Sequence, residues 1–374
     1  MKSLRRIAVL RALQLGDMLC AVPALRALRA AQPQARITLI GLPWATEFVA
    51  RFSDYVDELM VLPPVPGLPE QGSQPASARA VADFLDEARS RRFDLAIQLH
   101  GSGTVTNELL LAMGATRNAG FHAGKPPATN GGSGRRAFLR WQEVEHEVLR
   151  CLRLMQAIGV PDQGNALEFP LLQEDFVALH AASDAFLMPG SYVCIHPGAR
   201  MPSRRWSAQR FAEVADRLAE KGLEIVLTGT AAERELVESV AQAMRMPAFN
   251  LAGKTGLGAF AALVSQAALV VCNDSGASHV AAAVGTPSVV VCCGSDPMRW
   301  APLDHDRHRV LAHAIFCRPC MHESCPIGHP CALNISVDMV MRQAGELLAT
   351  AQSQMPAPTL EHGDRKAVKP RLAP

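Results

Sequence analysis

Short apolar runs that stop at Gly-, Asp- or Ser-containing turns and pass at once into helical segments constrain this chain more than any other feature. Ile7 to Leu10 reads as a buried strand, followed by Arg11-Ala12-Leu13-Gln14-Leu15-Gly16-Asp17 and a helical stretch to about Ala31. Pro23 falls inside that stretch and is expected to kink it or to mark its regular start. Arg36 to Gly41 is the next strand, so the chain opens as a βαβ unit, which implies a parallel sheet with right-handed crossovers. The alternation continues with strands at Glu58 to Leu62 and Phe93 to Leu99, and helices at Ala78 to Ser90, Thr104 to Met113 and Glu143 to Ile158. A second series begins at Tyr192. It has strands at Tyr192 to His196, Glu224 to Thr228, Leu269 to Cys272 and Ser288 to Cys292. Its helices are Ala208 to Lys221, Ala231 to Met244, Leu257 to Gln266 and Ser278 to Val284, the last ended by Gly285.

Length and composition fit that pattern. The chain has 374 residues, enough for two domains, and 49% of them are hydrophobic. We read an α/β protein with two doubly wound Rossmann-like domains: residues 1–175, residues 190–350, and a disordered tail at 351–374. A linker is expected around residues 160–190, and loops at 63–77 and 124–136, both rich in Gly and Pro. With 37 Lys and Arg against 35 Asp and Glu, and 5% aromatics, there is no footprint of a nucleic-acid binder. The N-terminal apolar run is too short for a signal peptide and no run suits a transmembrane helix, so cytoplasm is the expected location.

Three strand ends in the second half carry candidate anion chemistry. In Asn273-Asp274-Ser275-Gly276-Ala277-Ser278-His279 a buried strand leads directly into a helix of small residues, whose free amides and positive dipole end suit a phosphate. The plainer alternative is a capped helix, with Asp274 or Ser275 as the cap. His196-Pro197-Gly198-Ala199-Arg200, followed by Ser203-Arg204-Arg205-Trp206, offers open backbone and guanidinium groups for a diphosphate, or else a solvated basic loop. Thr228-Gly229-Thr230-Ala231-Ala232-Glu233 places Glu233 in a first helical turn, where it could bind a ribose or simply favour the helix. Three such turns in one domain point together to a nucleotide. In the first half, Asp17 stands at a helix start facing the expected cleft, as a candidate general base or a second cap.

The ten cysteines divide. Cys20, Cys151, Cys194, Cys272, Cys292 and Cys293 lie in apolar segments and read as buried hydrophobes. Cys317, Cys320, Cys325 and Cys331 crowd into fifteen residues and read as a candidate structural zinc site, with His322 and His329 as spare ligands. Reduced or transiently paired thiols are the alternative.

At these motifs the chain resembles glycosyltransferase family 9, the heptosyltransferases of lipopolysaccharide core assembly. The resemblance runs from Arg11–Met18 and Pro23–Leu28 through Phe93–Gly101, His196–Gly198, Arg204–Trp206 and Gly229–Glu233 to Asp274–His279. It implies a GT-B architecture, two Rossmann-like domains facing across a cleft, with the acceptor held by the first and a nucleotide-diphosphate sugar by the second. It further implies inverting transfer with no cofactor required for catalysis. Asp17 resembles the general base, Arg204 the cation opposite the departing diphosphate, and Asp274, Ser275, Gly276, Ala277 and His279 the donor loop. Gly198, Ala199 and Arg205 fall in the same donor region, Glu233 resembles the acid near the nucleoside, and Thr255 falls where the base packs. Arg204 stands where the family commonly carries lysine. ADP-heptose is the donor by family habit, and lipopolysaccharide core or a related envelope glycan the acceptor. Such an acceptor is membrane-held, which implies peripheral contact with the inner face of the membrane and makes Arg135, Arg136 and Arg140 candidates for its phosphates. Another GT-B reaction, such as nucleotide-sugar epimerisation, and a non-catalytic nucleotide-sugar-binding protein are the alternative readings. Many family members also carry a Cys-rich stretch before Asn334-Ile335-Ser336-Val337-Asp338.

Overall fold

The computed structural model describes residues 3–68, 76–127, 136–183 and 187–354. Among the described residues twelve strands lie in chain order at β1 Arg6–Leu10, β2 Arg36–Gly41, β3 Glu58–Val61, β4 Leu95–Gln98, β5 Arg117–His122, β6 Arg136–Arg140, β7 Tyr192–His196, β8 Glu224–Leu227, β9 Phe249–Asn250, β10 Leu269–Asn273, β11 Ser288–Cys292 and β12 His308–Ala312. They form two six-stranded sheets, ordered β3-β2-β1-β4-β5-β6 and β12-β11-β10-β7-β8-β9. Every pairing is parallel. Counted from its own first strand, each sheet has the same doubly wound order. The order reverses between β1 and β4 in one sheet and between β7 and β10 in the other, and those two crevices are where such sheets bind ligands.

The central strands β4, β10 and β11 are buried at every position, as expected of parallel strands covered by helices on both faces. The helix Leu15–Ala31 is continuous through Pro23, with no break at that position. Helix Gly276–Val284 ends at Gly285, which takes the left-handed conformation at φ 80°. The two helices pack against each other, so the halves meet through the starts of their ligand-facing helices.

Several expectations need revision. The stretch 160–190 is not all linker: helix Gln173–Ala182 packs on helix Leu257–Gln266 of the second half. Arg51 of the first half grips Asp175 of that helix with two bonds of 2.7 and 2.8 Å. The last helix runs Val337–Gln354, beyond the expected tail boundary, and the rest of the tail lies outside the described residues. Strands β5, β6, β9 and β12 carry no clear alternation and escaped the sequence reading. Arg135 lies outside the described residues, whereas Arg136 opens β6 and Arg140 closes it, exposed. Among the described residues no helix is long and apolar enough to cross a membrane.

Candidate active site

Both crevices open onto one cavity of about 190 Å³, lined by residues of both halves. The first half supplies Gln14, Gly16 and Asp17 from the turn after β1; the second supplies Ala199, Arg200 and Arg204 after β7, Asp274, Ser275, Gly276 and His279 after β10, and Trp300. Residues 17, 204 and 274, far apart in sequence, are thus brought to one wall-to-wall space because each follows a strand that ends there.

Asp17 is not the cap of its helix. Gln14 holds that position, and Asp17 sits in the first turn, half-buried beside the cavity. Burial raises its pKa above the usual aspartate value, against the pull of the Arg11 guanidinium; Glu147 adds to the rise, while His279 and Arg299 oppose it. The helix start alone would have lowered it.

The turn after β10 gives Asp274 and Ser275 different surroundings. Ser275 is the N-cap of helix Gly276–Val284, yet its side chain makes no capping bond. Its buried Oγ has no hydrogen-bond partner. Asp274 accepts a short hydrogen bond from Ser295 Oγ and so is held in the loop. His279, one turn into the helix, is buried, with Nδ1 3.6 Å from Cys20 Sγ and its ring edge-on to Trp300 at 6.3 Å between centroids. Burial lowers the pKa of its imidazole, although Asp274 and Asp17 favour the charged form. Ala277 is buried in the same helix, where its small side chain permits close packing.

Arg204 ends a short 3-10 turn at Pro202–Arg204 that is pinned by the Cys-rich segment. Ser203 N–H donates to the Glu323 carbonyl at 2.9 Å, Ser203 Oγ to the His322 carbonyl, and Arg204 Nη2 to the Cys320 carbonyl at 3.3 Å. The buried Nε of Arg204 has no partner. Arg205 turns away from the cavity and holds the Ala199 carbonyl at 2.8 Å.

Glu233 and Gly198 meet outside the cavity lining. Glu233 Oε2 accepts from the Thr230 amide and hydroxyl, both at 2.8 Å, so it closes its own turn as a capping box. A Cβ on Gly198 would stand 2.2 Å from Glu233 Oε1, so only glycine leaves room for that carboxylate. Thr255 lies in the turn before helix Leu257–Gln266 and does not line the cavity.

The six scattered cysteines are buried, as read. Cys317 and Cys325 are close enough to raise the thiol pKa of Cys331, after the larger effect of its burial. Among the described residues, however, no three Cys, His, Asp or Glu side chains are arranged to hold a metal ion. Cys331 packs into the core of the second half, and Cys325 Sγ accepts the His329 amide at 3.1 Å.

Sequence reasoning missed Arg11, Glu147, Arg299 and Trp300. Arg11 lies in the opening motif but reads there as an ordinary charged residue; the other three carry no local signal.

Two doubly wound sheets, with a cavity built from the reversal points of both, are the GT-B architecture. The chain belongs to glycosyltransferase family 9 (heptosyltransferase), whose model matches residues 81–330. Lipopolysaccharide heptosyltransferase 2 of Escherichia coli K12 is 27% identical over 337 residues, covering 80% of this chain and 86% of that protein. The family 9 glycosyl transferase of Veillonella parvula has the same fold, with a TM-score of 0.76 at 23% identity over 92% of this chain and 98% of its own. The ADP-heptose lipopolysaccharide heptosyltransferase II of E. coli gives 0.69 at 22% identity, over 93% and 99%.

Proposed function

We propose that this enzyme transfers a heptose from ADP-heptose to a lipopolysaccharide core or related envelope glycan, with inversion, and with Asp17 as general base. The observation that carries this reading is the single cavity in which Asp17 faces the start of helix Gly276–Val284, with Arg204 on the same wall. Asp17 takes the proton of the acceptor hydroxyl as its oxygen attacks the anomeric carbon. The bond from that carbon to the diphosphate breaks, and its electron pair leaves with the diphosphate. Arg204 and the free amides at Gly276 and Ala277 meet the charge that develops there, with Ser275 Oγ as a further donor. A raised pKa suits Asp17 to its task, because a carboxylate that binds protons more tightly is a stronger base.

Gly198 and Ala199 give the diphosphate access to backbone after β7, and Arg205 fixes that loop through Ala199. Glu233 and Thr255 are the nucleoside-side residues of this reading. Asp274 and His279 shape the donor loop, His279 as a buried ring between the two halves. ADP is the favoured nucleotide because the structural relative from E. coli carries ADP-heptose in its name. The acceptor is membrane-held, and exposed Arg140 is one cation suited to its phosphates.

A thermal-shift panel of ADP-, GDP-, UDP- and dTDP-sugars tests the donor. A ligand at about a hundred times its Kd adds about 2.7 kcal/mol to the folded state, so ADP-heptose should raise the melting temperature most. No shift with any of the four overturns the donor site. In parallel, Asp17→Ala should lose about 10²- to 10⁴-fold in transfer while keeping its ADP-heptose shift. Undiminished transfer removes Asp17 from the chemistry.

A further inference from the structure

Three arginines from both halves converge on the carboxylate of Glu147, which opens helix Glu147–Ala157. Oε1 accepts from Arg11 Nη2 at 3.1 Å; Oε2 accepts from Arg299 Nε at 3.0 Å and from Arg150 Nη1. Arg11 follows β1 and Arg150 lies one turn along the helix, but Arg299 belongs to the short helix Pro297–Trp300 of the second half. The side chains of Arg11 and Glu147 are 1% and 2% exposed, whereas Arg299 is 29% exposed. Burial works against a charged Glu147, yet Arg11, Arg299 and Arg150 outweigh it and hold the carboxyl down at about 2.

Arg11 is also the support of Asp17. Its Nε and Nη2 donate to the Asp17 carbonyl at 2.9 and 2.6 Å, and its Nη1 to the Leu99 carbonyl. One guanidinium therefore joins Glu147 to the main chain at the base. Further contacts cross the same junction. His146 Nε2 donates to the Ala301 carbonyl at 2.7 Å, and Arg299 stacks over Trp300 at 4.6 Å and Trp141 at 5.4 Å. Trp300 in turn lines the cavity and meets His279.

We infer that Glu147 is a positioning residue for transfer, a latch between the halves that ties the seating of the donor half, through Arg299, to the placement of Asp17, through Arg11. The inference rests on Asp17 being the base. Breaking the Arg299 arm removes the link from Glu147 to the donor half while His146–Ala301 still crosses the junction; removing the carboxylate frees both arms. Either change leaves the nucleotide-binding turns intact and loosens the approach of acceptor oxygen to anomeric carbon, where small misplacement is costly.

The groups facing Asp17 are Arg11 from the turn after β1, Glu147, His279, and Arg299, with Cys20 on its own helix and Arg204 and Asp274 across the cavity. Glu147→Gln removes a negative charge and leaves Arg11 and Arg299 without their acidic partner, while Arg150 keeps Glu145. The carboxylate form of Asp17 then gains, and the acid limb of kcat moves to lower pH. Arg299→Gln removes a positive charge and moves the limb the other way.

The test is the pH profile of heptose transfer from ADP-heptose by wild type, Glu147→Gln, Arg299→Gln, Arg299→Lys and Asp17→Ala. Both glutamine variants should lose about tenfold or more in kcat. Their acid limbs should separate in opposite directions, and the Kd for ADP should change less than about threefold. Arg299→Lys should recover part of the rate. Arg299 is partly exposed, so its variant is expected to melt like wild type and serves even where Glu147→Gln folds poorly. An active Asp17→Ala overturns the base assignment itself. With Asp17→Ala inactive, unmoved limbs in Arg299→Gln and in any Glu147→Gln that folds overturn the latch, whatever their rates.

Discussion

Gly16 lies directly against His279: a Cβ added to Gly16 would stand 2.6 Å from His279 Cδ2 and 3.5 Å from the Gly276 backbone. The helices Leu15–Ala31 and Gly276–Val284 therefore pack so closely at Gly16 that no side chain fits there beside the His279 ring. The Gly16-Asp17 pair reads as one unit, in which the glycine lets the halves close and the aspartate uses the space they enclose.

Gly16→Ala should wedge that contact apart. Overpacking of this kind costs about 1–3 kcal/mol, and here the displaced partner is a ring that also contacts Trp300. We expect a lower melting temperature and a larger loss in kcat than in ADP affinity, because the strain falls between the halves. Transfer at the wild-type rate would show that the contact is not needed for closure.

The acid side of the transfer profile should lie above the usual aspartate range of about 3.9. Asp17 must be ionised to act, burial raises its pKa, and the rate therefore falls as pH drops through the raised value. The stability sign is the reverse. A carboxyl that binds its proton more tightly in the folded state stabilises the fold at low pH, and that contribution is lost as pH rises. Asp17→Asn should therefore raise the melting temperature at pH 7 while abolishing transfer, measured by calorimetry and product formation.

Glu147 has the opposite linkage. Its folded-state pKa is about 2 against an ordinary value of 4.5, so its contribution is complete above the ordinary value and is lost as pH falls toward 2. Removing one partner of a buried pair costs about 3–5 kcal/mol. Urea melts should place Glu147→Gln below wild type by that order at pH 7, with the gap narrowing steadily below pH 4.5. A gap independent of pH would assign the loss to packing.

Gly198→Ala should act on the donor without unfolding the protein. The new methyl collides with the far end of Glu233, a flexible side chain at the surface of its turn, so Glu233 can swing aside at the expense of its two bonds to Thr230. We expect a stability loss below about 1 kcal/mol and a donor KM raised about tenfold or more, with kcat nearly kept. An unchanged KM would remove the Gly198–Glu233 contact from the donor site.

Much of this molecule is legible along the chain. Strand β2 and the helices at 78–90 and 257–266 end where their apolar periodicity ends, and β1, β7 and β10 stop at the turns whose glycines and acids mark them. Asp17, Ser275 and Arg204 stand out in sequence because each lies in the segment that follows a buried strand. Less was legible where the local signal is poor: β5 runs Arg-Asn-Ala-Gly-Phe-His, and it is a strand because β4 and β6 pair with it on either side.

The alternation of buried strands and capped helices determined, by itself, that this chain forms two parallel sheets with ligand turns at their carboxyl ends. Local periodicity and turn chemistry are enough for that. Only the tertiary structure decided what surrounds Asp17. Arg11 and Glu147 are separated by 136 residues and Glu147 and Arg299 by 152, and in sequence each reads as an ordinary charged surface residue. Burial makes such charges depend on one another, and which of them meet is set by how the two sheets are placed, not by any pattern within either.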